Sequence, residues 1–342
     1  MTSFTRLLRY CLMASLLVSA ALAGADTRLK MVLNWKYEGS QAWFFLAKEK
    51  GYFKEEGIDV VLDQGEGSAA SIGKVASGAY DVGFGDTNAI IEAAATHPDR
   101  APVAVYMIYN TPPFVIAVKS GSDIKTPGDL SGKTLAGPAN DGALKLFPAL
   151  ARQVGLDTDS VNILNVAPNL REQTLLRDRA DGIFGYLNTI RFSAKLVGMN
   201  PDQDLRFIRY SDHGLDLYSN AVFFSQDIIN EKPEVVHGFV RALNKAIKEV
   251  IADPDAGVDY VLKQEPLLNR EVEKARLLAT LQWEMNHPEI GKIGLGAVDQ
   301  ARLKRSIDID VQAKNLPRVP TVEQIFDSRF LPAEEDRIHQ LK

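Results

Sequence analysis

The chain has 342 residues, enough for two domains of ordinary size. With 46% hydrophobic and 24% charged side chains it reads as soluble and globular. A net charge of −5 argues against nucleic acid or an anionic membrane as the main partner, and one cysteine excludes a disulfide framework.

Residues 1–25 read as a secretory leader. Arg6 and Arg9 precede an apolar run from Cys11 to Leu22 that is too short to span a bilayer, and Ala21-Leu22-Ala23 or Ala23-Gly24-Ala25 satisfies the small-residue cleavage rule. Cleavage after Ala23 or Ala25 would deliver the mature protein to the periplasm. Cys11 would leave with the leader, so the mature chain would hold no thiol nucleophile and no thiolate metal site.

Met31–Leu33 is predicted as a short strand, followed by a helix from Ser40 to Lys50 with Gly51 as its stop. Strand Ile58–Leu62, a helix from Ser68 to Ala76, strand Tyr80–Gly85, helix Asn88–Ala95 and strand Val103–Tyr109 continue the alternation. Such a series means an α/β fold with a mostly parallel sheet. Thr111-Pro112-Pro113 suits a crossing between lobes better than a central strand. A second series follows: strands Phe114–Lys119, Thr134–Ala136, Val161–Val166, Ile183–Tyr186 and Arg206–Tyr210, with helices Gly142–Val154, Leu170–Arg179 and one reaching Val197. Residues 211–225 are expected to return the chain to the first lobe. From Pro233 the pattern is helical, with Val236, Phe239, Val240, Leu243, Ile247 and Val250 on one face, then a helix over Arg270–Met285 and a turn-rich tail. The expected division is lobe 1 from 26–111 plus 226–342, and lobe 2 from 112–225.

Two stretches spaced by one hundred positions echo each other. Asp81–Asn88 and Asp181–Asn188 share Asp, Phe, Gly and Asn at the same offsets, and each follows one helical pattern and leads into another. Both are therefore strand ends at the carboxyl edge of a sheet, where open α/β sheets bind ligands. Two such edges imply two lobes facing a shared cleft.

Several apparent motifs carry no chemistry. Gly128–Thr134 has three residues between its glycines where a phosphate loop needs four, and it precedes a strand instead of a helix. The five histidines are isolated, with no metal-ligand spacing, and there is no G-x-S-x-G elbow. No cofactor is expected, and no enzyme activity.

The positive signal lies in the loops at strand ends. Trp35, beside Asn34, exits the first strand and Tyr186 ends the second echo, so one aromatic from each lobe could sandwich a planar ligand. Gly67-Ser68 and Asn140-Asp141 open helices whose free N–H groups can receive ligand oxygens. Asp86, Thr87, Asn88 and Asn188 fall at the echo strand ends. The candidate loops bring Glu66, Asp86 and Asp141 with no lysine or arginine, so a ring carrying amino donors finds acceptors there. Stacking adds only about 0.5–1.5 kcal/mol per aromatic pair. A micromolar site needs about −8 kcal/mol. Hydrogen bonds and cleft closure must supply the rest.

Asn34-Trp35, Ala47–Val60, Ser77–Gly83, Asp129–Thr134 and Arg329–Pro332 together resemble the nitrate/sulfonate/taurine and thiamine-pyrimidine-precursor group of ABC-transporter substrate-binding proteins. The resemblance implies a periplasmic-binding-protein fold of type II-like topology, with two αβ lobes, two crossover strands and closure on the ligand. It implies an ABC permease and its ATPase as partners, and a monomer. It casts Trp35 as the stacking aromatic, Gly67 and Ser68 as the first-lobe binding loop and Tyr186 as a second-lobe contact. Asp86, Asn140, Asp141 and Asn188 rest on the strand-end reading instead. A pyrimidine-type thiamine precursor is the favoured ligand, with sulfonate, taurine or nitrate the alternative. The group also has intracellular relatives that make the thiamine pyrimidine and carry a cysteine-rich motif. The lack of any cysteine after position 11 departs from them.

Overall fold

The computed structural model describes residues 26–341, so the expected leader lies outside the described residues. The first sheet is laid down as β1 (Thr27–Val32), α1 (Ala42–Glu49), β2 (Ile58–Asp63), α2 (Ser68–Ala76), β3 (Val82–Asp86), α3 (Thr87–Thr96) and β4 (Val103–Met107). The chain then crosses and builds the second from β5 (Phe114–Lys119), β6 (Thr134–Gly137), α4 (Gly142–Val154), β7 (Asn162–Asn165), α5 (Arg171–Leu176), β8 (Gly182–Tyr186), α6 (Leu187–Leu196) and β9 (Leu205–Arg209). It returns as β10 (Asn220–Phe224) and finishes with α7 (Pro233–Ala252), α8 (Pro254–Gln264), α9 (Arg270–Trp283) and α10 (Gln300–Lys314).

The strand orders are β2-β1-β3-β10-β4 and β7-β6-β8-β5-β9. Each sheet has the same plan: a parallel set interrupted at the fourth place by one antiparallel strand. The interrupting strand is in both cases the one that has just arrived from the other lobe. It enters from the cleft side and so runs against its neighbours. Both sheets are therefore mixed, where alternation alone predicts mostly parallel ones. Sheet membership also puts Asn220–Phe224 with the first sheet, ahead of the boundary expected at 225.

The echo segments are equivalent in structure. Each is a five-residue strand, wholly buried, that passes without a loop into a ten-residue helix. Asp86 lies opposite Asn220 and Tyr186 opposite Phe114, so each echo ends beside a crossover strand.

The helices place these edges. α1 is buried from Ala42 to Ala47, with Phe44 edge-on to Phe84 of β3 at 5.2 Å. The predicted apolar face of α7 packs inward, and its Phe239 stacks on Phe53 at 4.7 Å. α10, absent from the expected elements, packs against both α3 and α4 and so ties the two lobes together behind the cleft. No helix among the described residues is long and apolar enough to cross a membrane.

Candidate functional site

The first-lobe wall is built from two loops at the ends of β1 and β2. Gly67 donates its N–H to the Asn34 carbonyl at 2.8 Å, and Gly65 donates to the Trp35 carbonyl at 2.8 Å. Gly67 has a φ of 120°, a conformation that glycine alone adopts without strain, and a Cβ there would collide with the Asn140 carbonyl of the other lobe. Asn34 Oδ1 accepts from Gln41 Nε2 at 3.0 Å, which fixes the start of this wall.

β3 delivers Asp86 to the same edge. Asp86 Oδ1 accepts from the Asn88 backbone at 3.2 Å and from Asn88 Nδ2 at 2.7 Å, so the carboxylate caps α3. Burial pushes its pKa up to about 7, against the opposing pull of those two hydrogen bonds.

The second-lobe wall holds Tyr186 and Asp141. The Tyr186 hydroxyl lies 3.3 Å from Ser68 Oγ across the cleft and donates to Asn220 Oδ1 at 2.9 Å. Asp141 caps α4, accepting from Ala143 N at 2.9 Å and Leu144 N at 3.2 Å. Burial raises its pKa, with Arg171 and the helix amides pulling the other way. A Cβ on Gly142 would stand 2.8 Å from Tyr186 Oη and 3.3 Å from Asp86 Oδ2, so this glycine lets the two echo residues meet.

Asn34, Trp35, Gly67, Ser68, Asp141 and Tyr186 line one inner space of about 10 Å³, joined by Gly142, Thr189 and Arg171. Trp35 and Arg171 also line an outer chamber of about 380 Å³ at the cleft mouth, together with Glu38, Glu172, Glu273 and Arg276. Asp86 lies beside Gly142 and is not among the residues that line the inner space. Asn140 offers its carbonyl to the Ala69 N–H across the lobes at 3.4 Å. Three predicted residues face elsewhere. Thr87 donates its N–H to the Ser219 carbonyl at 2.9 Å, Asn88 Nδ2 also donates to the Tyr218 carbonyl at 3.0 Å, and Asn188 Nδ2 donates to Thr280 Oγ1 at 2.8 Å.

Two residues of the cleft are missed by the sequence reading. The loops singled out from sequence hold no basic residue, yet the cleft holds two buried arginines. Arg171 Nη2 donates to Glu172 Oε1 at 2.6 Å, its Nη1 stands 3.6 Å from Asp141 Oδ2, and its guanidinium lies over the Trp35 ring at 5.2 Å. Arg276 on α9 donates to Glu273 Oε2 at 3.0 Å and lies 3.5 Å from Glu38, while its Nη1 reaches the Asn188 and Thr189 carbonyls at 3.3 and 3.2 Å. Burial drives Glu38 up to about 7, with Arg276 opposing. Four buried carboxylates (Glu38, Asp141, Glu172 and Glu273) nonetheless surround these two cations. Arg171 is the first residue of a helix after the β7 loop, so the strand-end rule that selects Tyr186 also points to it.

A family model described as NMT1/THI5 like matches residues 40–257, more than half of the chain. The chain belongs to the NMT1/THI5-like family. Among NMT1/THI5-like relatives, it is 25% identical over 266 residues to the formylaminopyrimidine-binding protein of Halalkalibacterium halodurans, covering 76% of this chain and 78% of that one. It is 24% identical over 256 residues to the 4-amino-5-hydroxymethyl-2-methylpyrimidine phosphate synthase of Aspergillus parasiticus, covering 72% and 73%. With the riboflavin-binding protein RibY of Chloroflexus aurantiacus it shares 23% identity over 295 residues, covering 84% and 82%. The alkanesulfonate-binding protein SsuA of Xanthomonas axonopodis pv. citri, solved with MOPS, has the same fold, with a TM-score of 0.68 at 16% identity over 88% of this chain and 99% of that one. The relatives of this chain thus include solute-binding proteins and an enzyme.

Proposed function

We propose that this chain is the extracytoplasmic solute-binding component of an ABC importer, holding a planar amino-heteroaromatic of the thiamine-pyrimidine type between its two lobes. The observation that carries the reading is the inner space itself. An indole from one lobe and a phenol from the other line it, and Ser68 and Asp141 supply it with acceptors. Carboxylates outnumber guanidinium groups around the cleft, which suits a donor-rich ring better than an anion. The crossover segments at 110–113 and 214–219 serve as the hinge, and ligand shifts the population toward the closed arrangement. The protein acts as a monomer in the periplasm, passing its ligand to a permease driven by an ATPase. The formylaminopyrimidine-binding relative supports this ligand class, and the riboflavin-binding relative extends it to larger planar rings.

A second reading has one observation in its favour. Arg171 and Arg276 could receive a sulfonate, as the likeness to SsuA would suggest. The synthase-like reading is less favoured, because the single cysteine lies at position 11 and binding proteins stand among the relatives. Thermal-shift screening against aminopyrimidines, flavins, taurine and alkanesulfonates tests the assignment. Stabilisation by sulfonates alone would replace the first reading with the second.

A further inference from the structure

Resting on the ligand class just proposed, we propose that Arg171 is an internal stand-in for the ligand. Its guanidinium holds the subsite that a planar amino cation takes on binding, so it sets which rings can enter and how tightly they bind.

Three features of the molecule converge on this role. The guanidinium, a flat delocalised cation, lies over the Trp35 ring at 5.2 Å, with the arginine supplied by one lobe and the indole by the other. Its N–H groups meet carboxylates on two sides: Nε and Nη2 donate to Glu172 Oε1 at 3.0 and 2.6 Å, and Nη1 stands 3.6 Å from Asp141 Oδ2. An amino group beside a protonated ring nitrogen presents the same edge of donors. The third feature is a reserved space. A Cβ on Gly185 would collide with Arg171 Nη1, whereas its echo partner Gly85 meets nothing closer than 3.3 Å. Gly185 thus leaves open the place that the guanidinium fills, beside Ile190 Cδ1, which a Cβ there would also crowd at 2.9 Å.

Volume favours displacement when the lobes are closed. The inner space is about 10 Å³, room for about one water and too little for a heteroaromatic ring. The outer chamber of about 380 Å³, which Arg171 also lines, receives the displaced side chain. A role as an anion clamp fits less well, because the donors already face Glu172 and Asp141 and an anion would have to settle beside both carboxylates.

The test compares wild type with Arg171→Ala and Arg171→Lys by calorimetric titration, using 4-amino-5-hydroxymethyl-2-methylpyrimidine as probe and taurine as counter-probe. Removing the internal competitor should tighten the aminopyrimidine by about tenfold in Arg171→Ala. Methylguanidine should raise the melting temperature of Arg171→Ala, leave wild type unchanged, and do so better than methylammonium, which has the charge without the plane. Arg171→Lys should give a smaller gain than Arg171→Ala. Weaker binding of the aminopyrimidine by Arg171→Ala, or no response to methylguanidine, overturns the stand-in role while leaving the ligand class intact. If wild type binds taurine but no aminopyrimidine, and Arg171→Ala loses taurine, the ligand class itself falls and this inference with it.

Discussion

Ser68 and Tyr186 stand 118 positions apart in sequence, one opening α2 and the other ending β8, yet their hydroxyl oxygens are 3.3 Å apart. The Tyr186 hydroxyl also donates to Asn220 Oδ1 on the returning strand at 2.9 Å, so one phenol joins the second sheet to α2 and to β10 of the first sheet. Tyr186→Phe should therefore loosen the closed arrangement while keeping the ring. A lost buried hydrogen bond of this kind costs about 0.5–1.5 kcal/mol, and Ser219 Oγ, which also donates to the Asn220 oxygen at 3.1 Å, keeps that oxygen partnered. Ligand affinity should fall by about threefold to tenfold in a titration, with a lower melting temperature.

Trp35→Ala removes the first-lobe stacking surface. Affinity for an aminopyrimidine should drop by at least about tenfold, because ring stacking and apolar burial go together. The far-UV circular dichroism spectrum should be unchanged, since Trp35 lies on a loop outside the regular elements. Unchanged affinity would place the ligand elsewhere.

The two buried carboxylates make stability depend on pH in a set direction. Asp86 and Glu38 titrate near 7 in the folded chain, against ordinary values near 4 when unfolded. Between about pH 4 and 7 the native state therefore holds more protons than the unfolded one, and stability falls as pH rises through that window. Above about pH 7 the loss is complete and the curve flattens. Urea melts at pH 5 and 8 should show the protein more stable at pH 5. Asp86→Asn, which keeps an acceptor for the α3 cap, should shrink the difference.

Arg276 bridges α9 to the start of α6 and neutralises Glu273 and Glu38. Arg276→Met leaves both carboxylates buried without their cation. Breaking a buried pair from one side costs about 3–5 kcal/mol. A fall of many degrees in melting temperature is expected, and restoring part of it by adding Glu273→Gln would show that the uncompensated charge is the cause.

The αβ alternation, the crossover at Thr111–Pro113 and the equivalence of the two echo segments are legible in the sequence, because each rests on local periodicity and turn chemistry. β10 is not. Its apolar part, Ala221–Phe224, is only four residues long and has no period of its own, so the sheet into which it inserts makes it a strand. α10 is missed for a related reason: its buried positions include Arg302, Ser306 and Asp310, so its inward face looks polar. Lys314 is the partner of Asp310 one turn on, which is why that face can be buried. In the cleft, Asn34, Trp35, Gly67, Ser68, Asp141 and Tyr186 are reachable from strand-end logic. Arg276 joins them only through tertiary folding, from a helix near the end of the chain, whereas Arg171, which opens the helix after β7, lies within reach of the same strand-end rule.

The central claim is that a donor-rich planar ring binds between Trp35 and Tyr186. Calorimetric titration of the purified protein with an aminopyrimidine and with taurine tests it most directly. The account predicts one aminopyrimidine per chain, weakened by Trp35→Ala and by Tyr186→Phe, and no heat from taurine. Taurine binding that neither substitution disturbs, with no aminopyrimidine binding, would contradict it.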